Sequence, residues 1–222
     1  MALDRSISIV LASGSPRRQE LLARLGLSFE VCVADIDEGR LPGEAPEAMA
    51  RRLSLAKAHA VAPARPRALI IAADTLVVVD QDVLGKPVDE REAYTMLARL
   101  RNRAHHVLTG LALADLARHR ESVEVVVTRV TMRDYSDDDI CRYIGTGDPM
   151  DKAGAYAIQA ADLNPVARIE GSYTNVVGLP LCALYHRLRA WGVPVPVDAR
   201  VACSRDSGEA ASPSVGGRAR GA

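Results

Sequence analysis

The stretch Ile7-Ser8-Ile9-Val10-Leu11-Ala12-Ser13-Gly14-Ser15-Pro16-Arg17-Arg18 decides how the rest of the chain is read. Residues 7–12 form a short apolar run with β-branched content, which predicts a buried strand. The run breaks at Ser13-Gly14. Ser15 suits an N-cap and Pro16 the first helical position, so a helix is expected from there to about residue 25, closed by Gly26. A helix start presents free N–H groups and the positive end of the helix dipole, and Gly14 lets a ligand approach the backbone. Arginine adds charge-assisted, often bidentate bonds to phosphate oxygens. Adjacent helical residues point about 100° apart. Arg17 and Arg18 therefore cannot lie on one phosphate together; one grips an anion while the other holds an acidic neighbour. The same six residues, 13–18, also describe an ordinary capped helix with two solvated arginines.

Outward from this junction the chain alternates strands and helices. Residues 29–33 predict a second strand, followed by the acidic turn Asp35-Ile36-Asp37-Glu38. A helix is expected over 46–60, with Leu53, Ala56 and Ala60 on its apolar face. Residues 68–73 read as a buried strand that ends at Asp74-Thr75, and 76–79 with 82–84 as a hairpin. Asp89 caps a helix carrying Ala93, Met96, Leu97 and Leu100. Residues 107–114 and 123–132 alternate as two longer strands. Pro180 opens a last helix that ends near Trp191-Gly192. One domain over 1–194 is expected, with 195–222 a disordered tail lacking apolar periodicity.

The 222 residues provide a sizeable core, and 28 basic against 28 acidic residues leave no net charge. A stable nucleic-acid binder would show a basic excess, so phosphate chemistry must rest on a few placed cations. Cys32, Cys141, Cys182 and Cys203 are scattered without a CxxC pair, which argues against a zinc site and a disulfide scaffold. Three of them read as small core residues in a reducing cytosol. Neither a secretory leader nor a membrane-length apolar run is visible, so the expectation is a cytoplasmic protein with no membrane partner.

Four further features carry candidate chemistry. Asp74, at the C-terminal end of a buried strand, stands where open α/β sheets collect ligands; it can bind Mg²⁺, activate water, or simply cap a turn. Glu38 supplies a second carboxylate, with Asp35 and Asp37 competing in the same loop. Lys86 lies between Gly85 and Pro87, two residues that set backbone shape, which suits a phosphate contact; Lys57, on a helix, reads alone as surface charge. In Asp151-Lys152-Ala153-Gly154-Ala155-Tyr156-Ala157-Ile158-Gln159, alternation predicts a strand ending at Gln159. The Gln159 amide can pair with the O4 and N3–H edge of uracil or thymine, or merely end the strand. His105 and His106 have no ligand-spaced partner and suit a structural hydrogen bond. No GxxxxGK[ST] run, GxGxxG or GxSxG elbow occurs.

Residues 11–22, Ala73-Asp74-Thr75 with Leu84-Gly85-Lys86-Pro87, residues 151–159, and Gly171-Ser172-Tyr173 with residues 176–180 together resemble the Maf family, over roughly residues 7–192. The resemblance implies an α/β fold with a mixed twisted sheet, flanking helices and two lobes around a cleft, similar to inosine triphosphatases. It implies a homodimer and hydrolysis of a nucleoside triphosphate between the α and β phosphates, supported by Mg²⁺, Mn²⁺ or Co²⁺. Asp74 becomes the catalytic carboxylate, as proton acceptor or metal ligand. Ser13, Arg17, Arg18, Lys57 and Lys86 become phosphate-side contacts, and Glu38 a metal or arginine partner. Arg17, Thr75 and Gln159 fall on positions tied to base selection. Thr75 with Ile158-Gln159 is similar to the branch acting on dTTP and UTP, with CTP and modified pyrimidine nucleotides as neighbouring candidates. Ala160, Asn102 and Asp148 depart from the family's usual Gly, Gly and Glu. A non-enzymatic nucleotide-binding regulator of septum formation is the second reading. It would use the same pocket without activating water.

Overall fold

The computed structural model describes residues 7–160 and 163–204. Its strands are β1 (Ile9–Leu11), β2 (Glu30–Val31), β3 (Leu69–Val79), β4 (Asp82–Leu84), β5 (Ala104–Asp115), β6 (Arg120–Met132) and β7 (Val166–Glu170). Its helices are α1 (Pro16–Ala23), α2 (Pro46–Val61), α3 (Glu90–Leu100), α4 (Asp137–Ile144), α5 (Tyr173–Val177), α6 (Leu181–Ala190) and α7 (Ala199–Cys203). The strands form one mixed sheet in the order β2-β1-β3-β5-β6-β7, with β4 pairing β3. β1 runs parallel to both β2 and β3, whereas β3, β5, β6 and β7 pair antiparallel. The predicted mixed sheet with flanking helices is what forms.

β3 explains the two-lobed core. Successive side chains of a strand point to opposite faces. On one face Ile71 and Ala73 join a cluster with Leu21, Leu22 and Leu184, while Val77 and Val79 join a second with Leu97, Tyr143 and Ile140. On the other face Ile70, Ala72, Leu76 and Val78 lie under α2. The 11-residue strand therefore runs continuously from one lobe into the other. The expectation that it ends at Asp74 is wrong: pairing with β5 continues unbroken from Leu69 to Val78, because the strand is buried on both sides.

A notch follows from the pairing. Along its β1 edge, β3 pairs β1 as far as Ile71 and meets β4 only from Val77. Residues between those points have no strand neighbour on that edge among the described residues. α2 lies over the opposite face at close range: a β-carbon on Gly110 would sit 2.1 Å from the Ala50 carbonyl oxygen. Only glycine permits this approach, which sets the height of the α2 side chains above β3.

The C-terminal expectation needs correction. Residues 195–204 are packed: Val195 and Ala202 are buried in the first cluster, and α7 forms with Asp198 capping the Val201 N–H at 2.9 Å. Valines at 193, 195 and 197 are separated by prolines, which hides their burial from a search for helical or strand periodicity. α6 is consequently not the last helix. Cys182 on α6 and Cys203 on α7 form a disulfide across 21 residues, contrary to the reading of unpaired core cysteines; Cys32 and Cys141 are free. No local spacing signals that pair, since a folded-back segment brings it together. The rest of the expected tail, 205–222, lies outside the described residues. Among the described residues no helix is long and apolar enough to cross a membrane.

Candidate active site

The notch in β3 opens into a cavity of about 930 Å³ between the two lobes. Residues 12–18, Glu38, Lys57, Asp74, Thr75 and Lys86 line one side, and Tyr143, Asp148, residues 151–153 and residues 156–160 the other. The volume is near the top of the range usual for small-molecule sites. All the sequence-predicted site residues meet here: Ser13, Arg17, Arg18, Glu38, Lys57, Asp74, Thr75, Lys86 and Gln159.

At the floor, alternation turns Asp74 toward α2 and Thr75 toward the other face. Asp74 is buried, and its Oδ1 accepts from Lys57 Nζ at 2.6 Å. The same Nζ lies 2.6 Å from Glu38 Oε1. Lys57 is therefore no solvated helix charge; one ammonium joins two carboxylates brought from different loops and strands. The pairing distinguishes Glu38 from Asp35 and Asp37, which the acidic turn alone left equivalent, and its partner is a lysine rather than an arginine. Partial burial works against ionising Glu38. The hydrogen bond and charge of Lys57, aided by Lys86 and Arg18, outweigh it and hold the carboxyl below its ordinary pKa.

The β1–α1 junction forms the adjacent wall. Ser15 stands at the N-cap but makes no side-chain cap bond. The Ser13 hydroxyl instead accepts from Ser15 N–H at 3.3 Å and from Arg18 Nη1 at 3.2 Å. Arg18 Nε donates to the Gly178 carbonyl at 2.8 Å, and Nη2 donates to Thr75 Oγ1 at 3.0 Å. These bonds leave one donor on each terminal nitrogen. Burial lowers the Arg18 pKa, opposed by the charges of Asp74 and Glu38, so this buried cation depends on the acidic floor beneath it. Arg17 points elsewhere, as the helical offset requires, and lies 3.9 Å from Asp151 across the cavity. Lys86 is exposed at the cavity's edge. Its loop is tied to the far wall by the Gly154 N–H, which donates to the Gly85 carbonyl at 2.9 Å.

The far wall is not the strand predicted for residues 151–159. Two short 3-10 turns, Asp148–Asp151 and Ala153–Ala155, replace it. Gly154 adopts φ +69°, and a β-carbon there would press within 2.9 Å of Val77 Cγ1, so the expected close packing is present without the strand. That positive φ breaks extended geometry and gives the alternation of apolar side chains another cause. Gln159 ends up in an exposed turn facing the cavity. Asp148 anchors the wall: it accepts from Tyr143 Oη at 2.6 Å and from Lys152 Nζ at 2.9 Å. Sequence reasoning missed Tyr143, Asp148 and Lys152 as cavity residues. Lys152 stood inside a quoted motif, but Tyr143 lies on α4 and carries no local signal. Behind this wall buried His105 makes the structural hydrogen bond expected of it, Nε2 to Tyr156 Oη at 2.7 Å.

The arrangement can hold a polyanion against Arg17, Lys86 and the α1 N-terminus, with two carboxylates beneath it. Glu38 and Asp74 oxygens share one Nζ partner, so they are no further apart than those two bonds laid end to end. That proximity and the all-oxygen donor set fit a hard divalent cation.

A family model described as Maf-like protein matches residues 8–191. A dTTP/UTP pyrophosphatase of Myxococcus xanthus is 52% identical over 196 residues, covering 88% of this chain and 98% of its own. One from Geobacter sulfurreducens is 50% identical over 184 residues, covering 83% and 96%. Among solved structures, the Staphylococcus aureus Ham1 protein is similar with TM-score 0.43 and 16% identity, covering 57% of this chain and 72% of that one. The matched span contains β1 through α6 and every residue of the cavity described above, and on that match the chain belongs to the Maf-like protein family.

Proposed function

We propose that this protein is a nucleoside triphosphate pyrophosphatase that converts dTTP and UTP, with water, to the nucleoside monophosphate and pyrophosphate. The observation that carries this is the Asp74–Lys57–Glu38 bridge in the β3 notch, facing the cationic β1–α1 junction. Relatives about half identical over most of this chain are named dTTP/UTP pyrophosphatases, which supplies the substrate class. The same hydrolysis acting on modified pyrimidine triphosphates would keep those nucleotides out of nucleic acids.

In this reading Asp74 orients the attacking water and accepts its proton as the water oxygen bonds to the α-phosphorus. The bond from the α-phosphorus to the α–β bridging oxygen breaks, and pyrophosphate leaves with that oxygen. Lys57 holds Asp74 and Glu38 close together and helps keep Glu38 ionised. Arg17, Lys86, the two unspent Arg18 donors and the first-turn N–H groups of α1 meet the phosphate charge, the electrostatic contribution that dominates phosphoryl chemistry. Glu38 and Asp74 would hold a divalent cation, Mg²⁺, Mn²⁺ or Co²⁺, which when bound neutralises phosphate charge and acidifies water. Thr75 is held by Arg18 and Thr109, and Gln159 offers its amide to the pyrimidine edge. A homodimer belongs to the same proposal.

The test is product analysis by the full chain with Mg²⁺ on dTTP, UTP, CTP, GTP, 7-methyl-GTP and modified pyrimidine triphosphates. Pyrophosphate and monophosphate from dTTP and UTP are expected. Release of orthophosphate, or nucleotide binding without turnover, would overturn the reading.

A further inference from the structure

Away from the cavity, Cys182 and His186 stand one turn apart on α6, where an i,i+4 spacing places two side chains on one helix face. Cys203, the last residue of α7, is laid over them with 4.6 Å between the two cysteine Cα atoms. The two sulfurs and a ring nitrogen of His186 all lie within 4.8 Å of one another, and Nε2 is 3.9 Å from Cys203 Sγ. His186 is exposed and both cysteines half-buried, so the cluster is open to ions from solution. α7 also has anchors of its own in buried Ala202 and the Asp198 cap, so the ligands stay gathered when the disulfide is reduced.

We propose that reduced Cys182 and Cys203, with the neutral imidazole of His186, form a site for a thiophilic divalent cation such as Zn²⁺, and that the disulfide is its oxidised, metal-free state. Two thiolates and one imidazole are a borderline-soft donor set that suits tetrahedral Zn²⁺ with one open position. The carboxylates of the cavity floor select hard cations instead, so the two sites separate by chemistry as well as by place. Opening the disulfide takes two electrons and two protons from a dithiol, which becomes a disulfide in turn. Loading the cation then releases the two thiol protons. While both sulfurs are bound to the metal, neither is free to re-form the disulfide.

Full-length protein reduced with a dithiol, freed of it by gel filtration under nitrogen and titrated with Co²⁺ tests this directly. The sulfur-to-cobalt charge-transfer absorption and the intense visible bands of tetrahedral Co²⁺ are expected to saturate at one Co²⁺ per chain in addition to any held by the cavity carboxylates. Cys182→Ser and Cys203→Ser should each weaken that absorption, and their combination abolish it. His186→Ala, at an exposed position that leaves the core intact, should weaken binding at least about ten-fold. Cys32→Ser and Cys141→Ser should change nothing. Cobalt held by Glu38 and Asp74 has no sulfur band, so the result is independent of the pyrophosphatase assignment. Absence of the band in reduced protein would overturn the proposal, as would its survival in the double serine variant. Re-formation of the disulfide in the presence of cobalt, with no sulfur-to-cobalt band, would leave only a redox staple.

Discussion

The cavity wall made by residues 12–18, Lys57 and residues 74–75 rests on a strand end, a helix start and the middle of a doubly buried strand. Its charged groups are already partnered: Lys57 with two carboxylates, Arg18 with a carbonyl and two hydroxyls. The opposite wall, residues 146–160, consists largely of 3-10 turns with exposed Gln159 at its rim, braced by Tyr143 and, through Tyr156, by His105 behind it. The difference matches what the proposed reaction asks of each. Attack at phosphorus needs groups held within a fraction of an ångström, which regular elements provide. Choosing a base needs only a polar edge at the right height, which an irregular wall can supply and vary.

The comparison breaks most severely if the ordered wall carries no chemistry. Asp74→Asn keeps the side-chain shape and an oxygen for Lys57 but cannot accept a proton. It should lower kcat on dTTP roughly a thousand-fold while far-UV circular dichroism stays unchanged. A variant near wild-type rate would remove Asp74 from the reaction.

A smaller effect probes what supports the second wall. Burial lowers the His105 pKa from 6.5 to about 4, so the ring is neutral when folded and charges more readily when unfolded. Between those values the unfolded state binds the extra proton, and stability falls as pH falls through that window. His105→Gln keeps a hydrogen-bonding side chain but does not titrate. Between about pH 7 and about pH 5 the native protein should lose about 2 kcal/mol more than this variant in urea unfolding. Parallel losses would show that His105 does not contribute the titration.

The mildest change falls on the exposed rim. Gln159→Ala should leave stability within about 0.5 kcal/mol. Its KM for dTTP and UTP should rise roughly ten-fold with kcat little changed, reflecting loss of binding shared by ground and transition states. A fall in kcat alone would place Gln159 in the chemistry and erase the distinction between the walls.

Legibility followed the same division. The β1–α1 junction, α2 and the Asp89-capped α3 were readable because apolar runs, caps and proline positions are local signals. Asn102 adopts φ 53°, a left-handed conformation that asparagine reaches more readily than most residues. Residues 151–159 misled because alternation of apolar side chains also arises where successive turns pack on a core. Lys57 was ambiguous alone, since nothing within its helix says that two carboxylates wait 17 and 19 positions away.

By itself, the sequence determined which residues are candidates for the chemistry: an anion-ready helix start, a buried aspartate, a constrained Lys86, and a balanced charge without the basic excess of a nucleic-acid binder. Those properties belong to short segments, where backbone preference and burial pattern act within a few residues. The tertiary structure alone decided that β3 runs through the site, that Lys57 joins Glu38 to Asp74, and that Arg18 is committed to Ser13, Thr75 and Gly178. It alone brought Cys182, His186 and Cys203 together. Each of these depends on distances between elements far apart in the chain, and those distances are set by how the helices seat on the sheet.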